Sequence, residues 1–297
     1  MKFDIVRHRK WYYSISLLIS IVGIILMLTM GLNLGTDFEA GSRIQFMVGQ
    51  DYDTDQMKTQ LQTDLPYLDG HLDLVQKIEG NGAVVRVDYK ISADEENQAK
   101  TYLDKKYPNA STQISSVDPV VARELAQKAI YAILYASIGI ILYMAIRFEY
   151  RFAIAGVISV LQVVLVVVSI FTLFRLEIDI TFIAAILTIV GYCIHDTIVI
   201  FDRIRENLKH HKVKTVSDLE DLVNESVWAT MARSINTVLT VVLSSGCLYL
   251  LGGTPIKHFA LALLIGLITG AYSSIFIASQ LWVTWKSREL KKPKAVA

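Results

Sequence analysis

The sequence predicts an α-helical polytopic membrane protein with six transmembrane helices and a small α+β domain between helices 1 and 2. Apolar residues make up 53% of the 297, above the roughly 45–50% typical of soluble domains, and the mean hydropathy is positive. Apolar runs of roughly 20 residues, the length that crosses a bilayer, recur along the chain. Six such runs lie at about 11–30, 129–146, 152–174, 179–201, 234–251 and 259–283.

The first run predicts a retained helix and not a cleaved signal peptide. It is longer than a typical signal core, and no A-x-A-like cleavage site follows it. We therefore assign residues 1–30 to a cytoplasmic N-terminus and transmembrane helix 1.

Lys and Arg side chains near the ends of the spans predict the orientation. They are frequent in the N-terminal segment, in the loops after spans 2 and 4 and in the basic tail 286–297, whereas the alternate short loops hold only Arg175 and Lys257. Short loops rich in Lys and Arg remain in the cytoplasm. The sequence therefore predicts a multi-pass protein of the cell membrane with both termini in the cytoplasm.

Residues 31–123 are net acidic and are predicted to form an extracytoplasmic domain. Strand patterns fall at 42–49, 72–79, 83–90 and 111–117, and helical patterns fall at 54–65, with Thr54 as the N-cap, and at 93–107. Gly80, Asn81 and Gly82 form a turn signal, so the two middle strands are expected to make a hairpin. The resulting order β-α-β-β-α-β predicts a ferredoxin-like fold.

Residues 124–285 hold helices 2–6. Pro119 and the stretch VARELAQKA predict an interfacial helix that leads into span 2. The cytoplasmic segment 202–233 is amphipathic in part and begins its helical pattern at an N-cap-like Ser217. The apolar residues on its one side are Leu219, Leu222, Val223 and Val227. This pattern fits a helix that lies on the membrane surface or on its own bundle.

Asp196 and His195 lie within span 4, where ionisable side chains are rare because the bilayer core does not solvate charge. Helical spacing places Tyr192 and Thr188 on the face of Asp196. His195 points about 100° away, and two interpretations remain for it. It either relays protons, because histidine titrates near neutral pH, or it is a hydrogen-bonded structural residue.

Arg233 marks the inner end of span 5. A polar stripe continues from it along the span: Asn236, Thr237, Thr240 and Ser244. Such a stripe needs a polar partner or a file of water, and Asp196 and Arg233 are on consecutive helices at similar depth, so we predict an ion pair between them. Arginine keeps its charge, which makes Asp196 the candidate proton carrier of a conformational switch. The alternative is a static buried salt bridge that sets helix register.

Small residues recur every four positions in span 6 and predict close helix packing. They are Ala262, Gly266, Gly270, Ser274 and Ala278. Cys193 and Cys247 both fall in spans and are interpreted as small apolar fillers, not as disulfide partners. The sequence contains no nucleotide-binding or hydrolase motif and no metal-ligand cluster, so we expect no enzyme activity, no cofactor and no metal ion.

The stretch GYCIHDTIVIFDRIREN (191–207) resembles the fourth-span signature of the SecD/SecF family, which is roughly GYS-x-NDT-x-V-x-x-DRIREN. The matching residues are Gly191, Tyr192, Asp196, Thr197, Val199, Asp202, Arg203, Ile204, Arg205, Glu206 and Asn207. GLNLGTDF (31–38), which includes Asp37 and Phe38, is similar to the family's G-x-DF approach to the outer domain. ARSINTVLT (232–240) resembles its RT-x-x-T start of span 5, and RFEYRFA (147–153) and GAYSSIFIAS (270–279) resemble its loop between spans 2 and 3 and its sixth span.

The resemblance implies a six-span half of an RND-superfamily assembly in the bacterial cytoplasmic membrane. It implies SecD, a six-span chain with a larger outer domain, as the partner. It also implies association with the SecYEG channel and SecA, with YajC as a further candidate. The implied function is to draw exported, unfolded polypeptide outward with the proton motive force. The family's intramembrane aspartate and arginine correspond to Asp196 and Arg233.

Three positions depart from the family pattern. His195 replaces a common Asn, either as an added titrating group or as a substitute hydrogen-bonding side chain. Gln162 and Val163 stand where members often have His-Asp in span 3, so a proton route through that aspartate is not expected here. DFEAG (37–41) replaces DFTGG, and Ala40 in place of glycine changes the expected flexibility of the outer hinge.

Two other functions fit the same residues less directly. An RND-like, proton-coupled carrier of lipids or small molecules shares the buried aspartate, but the small outer domain disfavours it. A non-transporting scaffold of the Sec channel predicts that Asp196→Asn is tolerated. No nucleic-acid partner is expected.

Overall fold

The structure is a computed structural model that describes residues 4–78, 81–107, 111–211 and 213–291. The chain divides into two compact units. A helical unit contains the residues up to Asn33 and those from Ala132 onward, and a small α+β unit contains Leu34–Tyr131.

Most of the described residues are helical. The four strands found among them all belong to the small unit. In chain order the elements are α1 (Arg9–Met30), α2 (Thr36–Glu39), β1 (Gly41–Met47), α3 (Thr54–Asp64), a 3₁₀ turn (Pro66–Leu68), β2 (Leu72–Ile78), β3 (Gly82–Val87), α4 (Ala93–Lys106), β4 (Gln113–Val117), α5 (Pro119–Arg147), α6 (Tyr150–Leu173), α7 (Ile180–His210), α8 (Val216–Leu251), α9 (Thr254–Ser273), a π turn (Ser274–Ala278) and α10 (Ser279–Lys291).

The described part of the chain contains six helical segments long and apolar enough to cross a membrane, which confirms the six predicted spans. They are α1, α5, α6, α7, α8 and the continuous run of α9, the π turn and α10. The protein is therefore a multi-pass membrane protein by the length and composition of its helices.

Three spans belong to longer helices than the apolar runs predict. α5 begins at Pro119, so the separate interfacial helix that we expected is instead the first part of span 2. α7 continues to His210 and α8 begins at Val216, so segment 202–233 is divided between two spanning helices. None of the three extensions contains Gly or Pro after Pro119, so no residue type that breaks helices interrupts them.

The amphipathic start of α8 packs on the helical unit itself. Thr215 caps the helix in a capping box with Asp218, so the N-cap lies two positions before the predicted Ser217. The apolar residues of the predicted face are all buried: Leu219, Leu222, Val223 and Val227. Of the two predicted placements, the surface of the bundle is the one found.

A four-stranded antiparallel sheet with the order β2-β3-β1-β4 forms the small unit. One buried core joins residues of α3 and α4 to residues of the sheet: Met57, Leu61, Ala99 and Leu103 with Ile44, Phe46 and Val85. The predicted sequence of strands and helices is present. Gly80 of the predicted turn, residue 79 of the strand before it, Pro108 and residues 292–297 of the predicted tail lie outside the described residues.

The helices of the small unit begin at side-chain caps. Asp53, and not the predicted Thr54, caps α3 by accepting hydrogen bonds from the backbone N–H groups of Asp55 and Gln56. Ser92 and Glu95 form a capping box at the start of α4. β3 ends at Val87, three residues before the predicted boundary, because the next residues turn toward the cap of α4.

Ala40 and Gly41, which lead into β1, have backbone conformations that favour glycine. Ala40 has φ 67° and ψ 179°, a region that is populated almost only by glycine. Gly41 has φ 106°, and a Cβ there would lie 2.2 Å from the carbonyl oxygen of Val87. The turn between α2 and β1 therefore holds Ala40 in a strained conformation.

Candidate functional site

Asp196 lies on the buried face of α7 and is only 7% exposed. Its Oδ1 accepts a hydrogen bond of 2.6 Å from the hydroxyl of Ser234 on α8. Its Oδ2 is buried and has no hydrogen-bond partner within the part of the chain that the structure describes. Buried polar atoms almost always have a partner, and the hydroxyl of Ser274 and the guanidinium of Arg233 are near enough to interact electrostatically with this carboxyl group.

Arg233 does not form the predicted ion pair with Asp196. No such contact is found among the described residues, and Arg233 is exposed on the single chain, whereas its neighbour Ser234 is buried against α7. Successive residues of a helix point about 100° apart, and Ser234 is the one whose side chain hydrogen-bonds to Asp196. Arg233 lies near enough to act on the carboxyl group through its charge, but the direct contact among the described residues is the one to the serine.

The polar stripe of α8 lies on the free face of the helix. Its hydroxyl groups bond to carbonyl oxygens of their own helix: Thr237 to Arg233 at 2.7 Å, Thr240 to Thr237 at 2.8 Å and Ser244 to Thr240 at 3.0 Å. All of these residues are exposed. The buried face of α8 instead carries Thr230, Ser234, Val238 and Ser245.

Of the other predicted residues of α7, Tyr192 lies near Asp196, whereas the others lie on an exposed face. Thr188, Gly191 and His195 are exposed, and their spacing puts them on one face of the helix. The hydroxyl of Thr188 donates to the carbonyl of Ala184 at 2.8 Å. Tyr192 is partly buried, and its hydroxyl has no hydrogen-bond partner in the described ranges.

A buried chain of small polar groups lies beside Asp196, and the sequence reasoning missed its role. Thr197 and Ser274 share a hydrogen bond of 2.9 Å between their hydroxyls, and Ser274 also contacts the carbonyl of Cys193 at 3.4 Å. Ser273 donates to Gln162 Oε1 at 3.0 Å. The cluster forms where the π turn begins. The sequence had singled out Ser274 for its small size, Thr197 for its match to the family signature and Gln162 for its departure from the family pattern, but not their contact.

Gly266 and Gly270 bring α9 against α7. A Cβ on Gly266 would lie 2.3 Å from Cδ1 of Ile189, and one on Gly270 would lie 2.3 Å from Sγ of Cys193. Cys193 lies less than one helical turn from Asp196 and Ile189 about two turns from it, so a larger side chain at either glycine would push α9 away from this face of α7. Cys193 is a buried free thiol, and Cys247 is an exposed one.

The charged end of the GYCIHDTIVIFDRIREN stretch ties α7 to its neighbours. Asp202 forms an ion pair of 3.0 Å with Arg147 at the end of α5, and Arg205 donates to the carbonyl of Arg147 at 3.1 Å. Asn207 donates to Ser226 of α8 at 2.8 Å. Arg203 and Glu206 of the same stretch pair with each other at 2.8 Å. Asp37 and Phe38, which belong to the other motif at 31–38, lie half-buried in α2.

The arrangement around Asp196 is suited to reversible proton binding. A protonated carboxyl group becomes a hydrogen-bond donor, and a hydroxyl such as that of Ser234 both donates and accepts. The ionised carboxylate can only accept from Ser234, whereas the protonated group can donate to it or accept from it. The described residues contain no group of three His, Cys, Asp or Glu side chains that could hold a metal ion.

Two family descriptions match the chain. Residues 98–288 match "Protein export membrane protein SecD/SecF, C-terminal", and residues 25–51 match "SecD/SecF GG Motif". The second match covers the turn at Ala40 and Gly41, where this chain has one glycine and not two.

Curated relatives match nearly the whole chain. It is 46% identical to protein translocase subunit SecF of Alicyclobacillus acidocaldarius, over 98% of the chain and 95% of that protein. It is 44% identical to protein translocase subunit SecDF of Bacillus subtilis, over 99% of the chain but 40% of that protein. The crystal structure of SecDF from Thermus thermophilus, a translocon-associated membrane protein, superposes with a TM-score of 0.87 at 29% identity, over 97% of the chain and 39% of that structure.

Proposed function

Because this chain belongs to the SecD/SecF family of protein export membrane proteins, and with it to the subunits of the Sec protein translocase, we propose that it couples the proton motive force to the outward movement of exported polypeptides. Asp196 is the proton carrier in this proposal. The observation that carries the proposal is the buried carboxylate with one oxygen bonded to Ser234 and the other without a partner in the described chain.

Protonation of Asp196 changes the contact between α7 and α8. The ionised carboxylate accepts from Ser234, and a protonated carboxyl group can instead donate. An ionised carboxylate is also far more costly to hold in a low-dielectric bundle than a neutral one. The two protonation states therefore favour different packing of α7 against α8. A proton gradient shifts the balance between these two arrangements of the helix pair.

In this proposal Arg233 faces the partner chain in addition to influencing Asp196 through its charge. Its exposed guanidinium and the exposed stripe of Thr237 and Thr240 lie along a span, where polar side chains face a protein partner or a water-filled cavity. We propose that the six-span partner SecD covers this face together with that of Thr188 and His195. The match of this chain to 40% of a SecDF protein supports a partner half of this kind.

The orientation and assembly follow from the same proposal. Both termini and the ends of α7 and α8 at residues 202–233 lie in the cytoplasm, and the small unit lies outside. The order β2-β3-β1-β4 with its two helices supports a ferredoxin-like assignment for that unit. The assembly associates with SecYEG, SecA and YajC, and its substrate is unfolded exported polypeptide.

The test is the export rate of a secreted precursor in cells that carry Asp196→Asn, with the protein level matched to the unmodified protein. We expect export support to fall to the level of cells without the chain, because Asn fills the site but does not titrate. Asp221→Asn is the matched control, since Asp221 is an exposed carboxylate on the amphipathic start of α8. Copurification with SecD verifies that the variant still assembles.

Normal export by Asp196→Asn at matched level would contradict the proposal. That result would leave Asp196 as a structural group and would support a scaffold of the Sec channel. Restoration of export by Asp196→Glu would support a titrating group over a merely polar one.

A further inference from the structure

The sheet of the small unit has two edge strands, β2 and β4. An edge strand presents backbone N–H and C=O groups that pair with any extended chain, so proteins usually blunt such edges with charges, bulges, proline or covering loops. The two edges of this sheet differ in these features.

The β2 edge is blunted in three ways. Its pairing with β3 shifts register between Leu72 and Leu74. It carries the exposed charges of Asp73 and Lys77, and Lys77 pairs with Asp51 of the preceding loop at 2.8 Å. The hydroxyl of Tyr52 in the same loop donates to the carbonyl of Gly82 at 2.8 Å, so this loop lies against the β2 end of the sheet.

The β4 edge lacks these features. Gln113–Val117 pair with β1 in a regular register that shows no shift, and residues 111–117 contain neither a charged residue nor a proline. Gln113 and Ser115 are exposed. Among the described residues, no loop or further strand hydrogen-bonds to the backbone of residues 113–117. α2 contacts β4, but none of the backbone hydrogen bonds of α2 in the described chain goes to residues 113–117, so these backbone groups remain available for pairing.

The chemistry of this edge favours a transient partner over a permanent one. Permanent subunit interfaces are markedly apolar, whereas the exposed side chains here are a glutamine and a serine. Backbone pairing at a sheet edge supplies affinity without demanding a particular sequence. An occupant that binds by its backbone must be extended and unfolded.

We propose that the free edge of β4 pairs with extended segments of the polypeptide in transit, which add to the sheet as a fifth strand. This inference rests on the proposed export function and names the surface that receives its substrate. Ile114 lies partly buried against the core on one face of β4. Residues of an added strand beside Ile114 would extend that apolar face, so segments with apolar residues at alternate positions bind best.

Site-specific photo-crosslinking tests the proposal in the full chain, assembled with SecD in membranes. A photoreactive residue replaces Ser115 on the open edge or Lys77 on the blunted edge, and a secretory precursor is arrested in transit by a folded C-terminal domain. We expect several-fold more crosslinking to the precursor from position 115 than from position 77. We also expect crosslinks from several precursor positions, because backbone pairing accepts many registers.

A charge on the open edge provides the second arm. With the photoreactive residue at Gln113, Ser115→Lys should reduce crosslinking to the precursor several-fold, because lysine on an edge strand opposes pairing. Gln98→Lys adds the same charge to the exposed surface of α4 and should leave crosslinking unchanged. Copurification with SecD controls for folding of both variants.

Three outcomes would overturn the inference. They are equal crosslinking from positions 115 and 77, an unchanged yield in Ser115→Lys, or crosslinks from position 115 to SecD alone, which would make the edge a subunit interface. The proposed function fails independently, because its failure is normal export by Asp196→Asn. Crosslinks from the β4 edge to the precursor do not depend on that result.

Discussion

Ser234, and not the adjacent Arg233, donates the hydrogen bond to Asp196. Asp196 accepts from the Ser234 hydroxyl at 2.6 Å, whereas Arg233 is exposed on the neighbouring face of α8. A hydrogen bond to an ionised group is stronger than one between neutral groups. The buried serine therefore holds the geometry of the aspartate, and the arginine is available to another chain.

Ser234→Ala should impair export although it leaves the charges unchanged. A hydrogen bond to a charged group contributes about 1.5–3 kcal/mol, and about 1.4 kcal/mol corresponds to a factor of ten, so we expect export to slow by about tenfold. Ser234→Thr keeps the hydroxyl and should restore most of the rate. The measurement is the export rate of a secreted precursor at matched protein level.

Ser245→Ala is the matched control for that experiment. Ser245 is also a buried serine on the inward face of α8, but it does not contact Asp196. Equal loss of export in both alanine variants would indicate a general packing defect and would count against a specific role for Ser234.

The turn between α2 and β1 is the element in which this chain departs most clearly from its family. The family description for residues 25–51 is named for a GG motif, and the structure accounts for both positions. Gly41 is required because a Cβ would clash with the carbonyl oxygen of Val87. Position 40 has a conformation that suits glycine but holds alanine.

Ala40→Gly should stabilise the small unit. Strained φ/ψ values cost on the order of 1–3 kcal/mol, and the added freedom of glycine in the unfolded chain offsets about 0.4–1 kcal/mol of that. We expect a net gain of about 1 kcal/mol, measured as slower hydrogen exchange of the β1 and β3 amides in the full chain. Gly41→Ala should have the opposite effect, and stabilisation by Gly41→Ala would refute the steric account.

The capping box of α4 should make the start of that helix sensitive to acid. The backbone N–H of Ser92 donates to Glu95 and, as the main cause, lowers the pKa of Glu95 below its usual 4.5. Because the folded-state pKa is the lower one, the contribution to stability is present above pH 4.5 and is lost as the pH falls through the folded-state pKa.

Glu95→Gln tests this pH dependence. Glutamine keeps a hydrogen-bond acceptor for the capping box but does not titrate. After correction for the intrinsic exchange rate, the protection of the first-turn amides of α4 in this variant should therefore be the same in acid as at neutral pH. Glu96→Gln, one position along the same exposed turn, should behave like the unmodified chain. A parallel acid dependence in all three proteins would place its origin elsewhere.

At the scale of the whole molecule, most of the small unit can be removed experimentally because the first and last strands of its sheet pair with each other. Gly41 of β1 and Val117 of β4 are opposite each other in the sheet, and directly opposed residues of antiparallel strands lie about 5 Å apart. A short flexible linker can therefore replace residues 42–117 without pulling on the helices at either end.

Replacement of residues 42–117 by such a linker should abolish support of export while the spans remain assembled. The physical reason is that, in the proposed orientation, the small unit supplies the surface that contacts the exported polypeptide outside the membrane. Export of a secreted precursor and copurification with SecD are the two measurements. Unchanged export by the linked spans would show that the membrane part acts without the small unit.

The sequence predicted the architecture better than the site, and particular residues show why. The length of an apolar run is set by the thickness of the bilayer, so the sequence alone predicted the six spans. The order of strands and helices in the small unit was predicted from their different periodicities. The stripe from Arg233 to Ser244 reveals that polar residues share one face of α8, but periodicity does not say whether that face points inward. Ser234, in the adjacent position, carries no periodic signal.

Two other features were not predictable for related reasons. The sequence predicted an amphipathic helix through Leu219 and Val223, which are buried, but hydropathy did not show that this helix continues without a break into span 5. No residue type in Ser274–Ala278 distinguishes a π turn from an ordinary α-helix. The turn nevertheless brings Ser274 into hydrogen-bond contact with Thr197.

The π turn also bears on the history of the gene. A turn of π-helix accommodates one residue more than an α-turn, so it is what a single inserted codon leaves in a long helix when both ends keep their partners. Removal of one residue within 274–278 would restore an unbroken α-helix. We therefore expect any homologue without the turn to show a one-residue gap here, with the flanking glycines and Trp282 still aligned. A one-residue gap inside a membrane span would then mark where an insertion or deletion changed the register of the helix during evolution.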